Sequence, residues 1–151
     1  MSLTTYFRAS LTCLHCKQPG IAWVWSNLGD RGSTYEVGER IADDIPLEEI
    51  EDECLKVKTA EPGEALHILL SWKCAHCGLS NFARVVLHDG HVRAIEAVEL
   101  NPETLATLHY IAETVVDMLE TIIGERLYSE SGLRPDWLAA LRGALDSGKR
   151  W

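Results

Sequence analysis

The chain alternates bulky and small or polar positions over its first hundred residues. Ile21-Ala22-Trp23-Val24-Trp25 shows the period of two that predicts a strand, and residues 6–13 lead into the turn before it, so the two segments predict a hairpin. The plan repeats: residues 66–72 enter a second turn and residues 82–87 leave it. Asp89-Gly90 then suits the two left-handed positions of a type I′ turn, and residues 91–100 return as a further strand. An antiparallel sheet of roughly four to six strands is expected.

The stretch 27–64 separates the two halves. Pro46 stands where a first helical turn would begin, and Leu47, Ile50 and Cys54 follow at helical spacing, predicting a short helix with one apolar stripe and an acidic outer face. Cys54 is then a packed core thiol. Thr34-Tyr35-Glu36-Val37-Gly38-Glu39 alternates and meets a glycine turn, predicting an edge strand, and Pro62-Gly63 closes the insert.

Past residue 100 the period changes. Asn101-Pro102-Glu103 offers an N-cap, a proline at the first helical position and an acid in the first turn. Leu105, Leu108, Ala112, Val115, Leu119 and Ile122 recur every three or four residues, predicting one long helix over 101–128, in which Gly124 costs little. Ile111, Val116, Met118 and Ile123 widen its stripe, which can pack on the chain's own sheet, form a homodimer seam, or do both. After Ser131-Gly132 a short helix is expected from Pro135, with Trp137, Leu138, Leu141 and Leu145 on one side. The expected class is α+β: an antiparallel β domain over 1–100 with an acidic insert at 27–64, and a C-terminal segment over 101–151, a long helix plus a short one, packed on it.

Composition narrows the reading. A chain of 151 residues can bury a real core without disulfides. Residues 1–16 carry Arg8 among polar positions and no continuous apolar run, so neither a secretory signal nor a membrane anchor is expected, and the cytoplasm is the expected compartment. The net charge of −9 disfavours nucleic acid, whose binding is driven by clustered Lys and Arg. It fits plain solubility, or a basic protein partner. Asp43, Asp44, Glu48, Glu49, Glu51, Asp52 and Glu53 have few balancing cations and form the candidate partner-binding face.

The chemistry-bearing motif occurs twice, as Cys13-Leu14-His15-Cys16 and Cys74-Ala75-His76-Cys77. Two Cys-x-x-Cys turns can enclose a divalent cation tetrahedrally, and in a reducing compartment ligation is favoured over cystine, so structural zinc on Cys13, Cys16, Cys74 and Cys77 is expected. The 57 residues between Cys16 and Cys74 exceed the common spacing. Closure grows only logarithmically with length, and zinc binding can supply about 10 kcal/mol or more toward folding. Four sulfurs would leave no open coordination position, so the metal would hold structure and not catalyse. His15 and His76 are then outer residues.

Other chemistries find less support. A thiol oxidoreductase would place one Cys-x-x-Cys between strand and helix, whereas both turns here join strands. A zinc deaminase lacks its His-x-Glu and Pro-Cys-x-x-Cys elements, since Lys73 precedes Cys74. Turn chemistry accounts for His88-Asp89-Gly90-His91, and no phosphate-binding glycine loop or nucleophile elbow is present. Nothing in the sequence requires an enzyme.

The paired knuckles on hairpins resemble zinc ribbons over the first hundred residues. The chain is also similar to small bacterial zinc-ribbon proteins with a Tyr-x-Val-Gly-acid element between the cysteine pairs, here Tyr35-Glu36-Val37-Gly38-Glu39. Some acidic proteins of that kind serve as immunity partners of secreted toxins. The closed four-sulfur site and the acidic insert lead to the expectation of a non-enzymatic, zinc-stabilised protein-binding module, and the resemblance implies its sharpest form, an immunity-type inhibitor. The competing expectation is a zinc-ribbon accessory of transcription or RNA handling, using Arg84, Arg93 and Trp72 on a sheet face.

Overall fold

The computed structural model describes residues 5–26, 28, 32–41, 45–123, 128–129 and 132–133. The elements are β1 (Thr5–Thr12), β2 (Pro19–Ser26), β3 (Thr34–Tyr35), α1 (Leu47–Glu53), β4 (Cys54–Lys56), β5 (Leu66–Lys73), β6 (Ser80–His88), β7 (His91–Val98), α2 (Pro102–Thr107), β8 (Tyr110–Ala112), α3 (Glu113–Ile123), β9 (Tyr128–Ser129) and β10 (Gly132–Leu133).

Two hairpins, β1–β2 and β5–β6, form as their alternation requires, and they join through β2 and β5 at Trp25 and Ser71. Because β2 and β5 are antiparallel, both hairpin tips point the same way. The β6–β7 turn places Asp89 and Gly90 at φ 52° and 74°, the pair of positive values expected of this dipeptide. The segment from Thr34 onward curls the sheet back on itself. Its start runs parallel to β1, while Gly38 and Ile41 donate backbone N–H bonds to Val92 and Gly90 of the β7 hairpin. Phe7 of β1, Val24 of β2, Ile68 and Leu70 of β5, Val85 of β6 and Val92 of β7 are core positions, fully or almost fully buried.

The expected α+β architecture with a long C-terminal helix is not what forms. The described residues are mostly β, with 46% strand and 19% helix, in a curled mixed sheet with three short helices among them. Asn101 does cap a helix, its side chain accepting the Thr104 N–H at 2.8 Å, but that helix ends at Thr107. β8 then pairs antiparallel with β4 and parallel with β5, and the helix resumes only at Glu113. The reason is burial on every side: Leu108, His109, Tyr110, Ile111 and Ala112 are all inside. Such a run fits a strand covered on both faces, and its leucines and isoleucines fall by coincidence at helical spacing too.

The insertion is possible because β2 and β5 are paired at one position only. Farther from the knuckles the same edge of β5 accepts β8 at Ile68 and Leu69. His109 fastens this fork. Its backbone N–H donates to His67 O at 2.9 Å and its Nδ1 accepts the His67 N–H at 3.1 Å. That role fixes the ring proton on Nε2, which donates to Glu64 at 3.1 Å. Val115, Val116 and Leu119, part of the stripe that could also serve a homodimer seam, are fully buried in the chain's own core. The short helix expected from Pro135 lies outside the described residues. Among the described residues no helix is long and apolar enough to cross a membrane.

Candidate metal centre

The two Cys-x-x-Cys turns are built alike. In the first, Lys17 N–H donates to Cys13 O and Cys13 N–H to Gln18 O; in the second, Gly78 N–H donates to Cys74 O and Cys74 N–H to Leu79 O. The residue after the second cysteine must then adopt a left-handed conformation, with φ 63° at Lys17 and 74° at Gly78. This tight wrap turns backbone amides inward onto sulfur. His15 N–H donates to Cys13 Sγ at 3.4 Å, while His76 and Cys77 N–H donate to Cys74 Sγ at 3.3 and 3.5 Å.

Since both tips point one way, the four sulfurs converge. Cys13 Sγ lies 3.6 Å from Cys77 Sγ, Cys16 Sγ lies 3.7 Å from Cys74 Sγ, and all four fall within 4.8 Å of one another. A tetrahedron with metal–sulfur bonds of about 2.3 Å has edges of about 3.8 Å, so the cage is close to the size a zinc-like ion needs. Cystines would need about 2.0 Å. No other group of three or more Cys, His, Asp or Glu side chains among the described residues is arranged to hold a metal.

The four thiols divide into two that ionise readily and two that resist it. Burial works against ionising Cys13, but the Cys16 N–H, the Asn81 amide and the His15 N–H together pull its pKa well below the ordinary thiol value. Cys74 is lowered as well, chiefly by the Cys77 N–H. The second cysteines go the other way: the Gln18 N–H lowers Cys16 and the Leu79 N–H lowers Cys77, but burial and neighbouring sulfurs outweigh them and raise both. Four thiolates in one cage repel each other. A divalent cation held by Cys13, Cys16, Cys74 and Cys77 would supply the charge that lets all four ionise.

Asn81, at the start of β6, links the two knuckles and was not singled out by the sequence. It is buried, its Oδ1 accepts the Leu14 N–H at 3.0 Å, and its Nδ2 donates to Cys13 Sγ at 3.4 Å and Leu79 O at 3.3 Å. The histidines lie outside the cage. His15 Nε2 is 3.1 Å from Ser80 O, and a Cβ on Gly20 would sit 3.4 Å from His76 Nε2, so the second knuckle's ring packs against the glycine leaving the first. Leu14, Ile21, Trp23 and Leu79 are exposed around this end of the sheet.

The other candidates sit elsewhere. Cys54 is buried at the junction of α1 and β4, where burial, reinforced by Glu53, Glu113 and Glu49, pushes its thiol up to about 12. On α1, Glu48, Glu51 and Asp52 are exposed and Glu49 and Glu53 partly so, with Glu51 accepting a bond from the Tyr110 hydroxyl at 3.3 Å. Asp43 and Asp44 lie outside the described residues. The residues expected to form an RNA-binding face do not assemble as one: Trp72 is buried, and Arg84 is engaged by Glu96 at 2.7 Å and Thr107 at 2.9 Å. Arg93 is exposed on β7. Compared with protein-family models, with curated proteins and with solved structures, the chain matches none.

Proposed function

We propose that the chain is a zinc-stabilised, non-enzymatic module that binds a basic protein partner in a reducing compartment. The observation that carries this reading is the cage of Cys13, Cys16, Cys74 and Cys77, whose sulfurs lie within 4.8 Å of one another. With all four positions filled by protein, a tetrahedral ion has none left for water or substrate. Its work is then to staple two hairpins whose shared edge, Trp25 with Ser71, is a single pair. The exposed carboxylates of α1 give the partner-binding side, and the net charge of −9 favours encounter with a basic surface. In its sharpest form the module is an immunity-type inhibitor that covers a basic toxin surface.

The test is purification of the chain from its native cell, followed by identification of what remains bound. One defined basic protein should co-purify with zinc-loaded chain, and reversing the charges of Glu48, Glu49 and Asp52 together should release it. Retention of that protein by the reversed variant, or no protein partner at all, would overturn the reading.

A further inference from the structure

Beside α1 runs a groove of about 490 Å³ between that helix, the residues before β5 and the β6–β7 turn. Ile45, Ile50, Leu66 and Leu87 line its floor. Leu47, the first residue of α1, was expected in the core stripe, yet it lines the groove and is 49% exposed. Three carboxylates, Glu61, Glu64 and Asp89, also line the groove, and among its described lining residues there is no lysine or arginine. Glu48, Glu51 and Asp52 extend the same charge along exposed positions of α1. An apolar trough with carboxylates on its lining and on the flanking helix complements one kind of ligand: a segment with apolar side chains on one side and cations flanking them.

We infer that this groove docks a short amphipathic, Lys/Arg-rich segment of the protein partner, with apolar side chains seated against Leu47 and Leu66 and cations meeting Glu61, Asp89 and the α1 carboxylates. The inference rests on the proposed function and places the contact more finely, since it adds an apolar requirement to the electrostatic one. Charge alone would hold any polycation; Leu47 and Leu66 select those that also bury side chains.

The test uses the zinc-loaded full chain and a labelled helical peptide built from leucine on one face and lysine on the other, read by fluorescence anisotropy. Two control peptides replace every lysine by glutamate, or every leucine by serine. The leucine–lysine peptide should bind saturably, the glutamate peptide should not bind, and the serine peptide should bind about tenfold or more weakly. Leu47→Lys and Glu61→Lys, both at exposed positions, should each weaken the first peptide by about the same factor without lowering the melting temperature. Equal binding of the serine peptide, or affinity untouched by both variants, would overturn the groove. If Leu47→Lys protein retains the native partner while the α1 charge reversal loses it, the groove inference fails and the proposed function stands; if both retain it, the proposed function itself fails.

Discussion

Replacing Asn81 by leucine should weaken zinc binding without touching a ligand. The leucine keeps the volume of a buried side chain but removes three hydrogen bonds: to the Leu14 N–H at 3.0 Å, to Cys13 Sγ at 3.4 Å and to Leu79 O at 3.3 Å. Losing an outer partner of a metal ligand weakens affinity by roughly 10- to 100-fold, about 1.4 to 2.7 kcal/mol. The Leu14 N–H loses its acceptor in a partly buried place, which costs about 1 to 3 kcal/mol more, in the metal-free protein as well. Competition against a chromophoric chelator measures the first effect, and urea denaturation with and without zinc separates the second. Lys73→Ala, on the exposed end of β5, is the control and should change neither. Zinc affinity within threefold of the parent, in a variant that still folds, would refute the idea that Asn81 couples the two knuckles.

The matching turns make a paired forecast: Lys17→Gly should stabilise the chain by about 0.5 to 1 kcal/mol because lysine is strained at φ 63°, and Gly78→Ala should destabilise it by about 1 to 2 kcal/mol. Denaturant midpoints check both, and equal signs would refute the shared geometry. His109→Leu should cost about 1 to 3 kcal/mol by orphaning the His67 N–H, with the loss read in urea; a neutral result would show that β8 is not fastened there. Alkali should also unfold the chain. Burial raises Cys54 from 9.0 to about 12 and Tyr110 from 10.0 to about 12, so the folded state holds both protons more tightly than the unfolded chain. Their contributions are complete below pH 9 and drain away as pH climbs toward 12, with a slope approaching about 1.4 kcal/mol per pH unit from the thiol. Cys54→Ala should flatten the curve near pH 9, and an unchanged curve would contradict this account of burial.

The local elements were legible where one residue type answers one conformational need. Asp89-Gly90 takes two positive φ values, Asn101 caps its helix, and both cysteine pairs sit at hairpin tips. Periodicity predicts one long helix where the chain forms α2, β8 and α3, because it cannot separate a helix stripe from a strand buried on both faces. The run of Leu108, His109, Tyr110, Ile111 and Ala112 satisfies both patterns, and partners distant in sequence, His67 and Val57, decide between them. Asn81 was invisible for another reason. It stands four residues past Cys77, where the first knuckle has Gly20, so the repeat gives no hint that one copy reaches across to the other. Leu47 fits the apolar spacing of α1, but spacing alone cannot tell a core position from a groove wall.

X-ray absorption at the zinc edge of the loaded chain tests the central claim most directly. Four sulfur scatterers at about 2.3 Å, with no nitrogen or oxygen in the shell and one ion per chain, are the predicted result. A mixed sulfur and nitrogen or oxygen shell, or a chain that takes up no metal while its four knuckle cysteines stand as cystines, would contradict the closed cage and the passive role assigned to it.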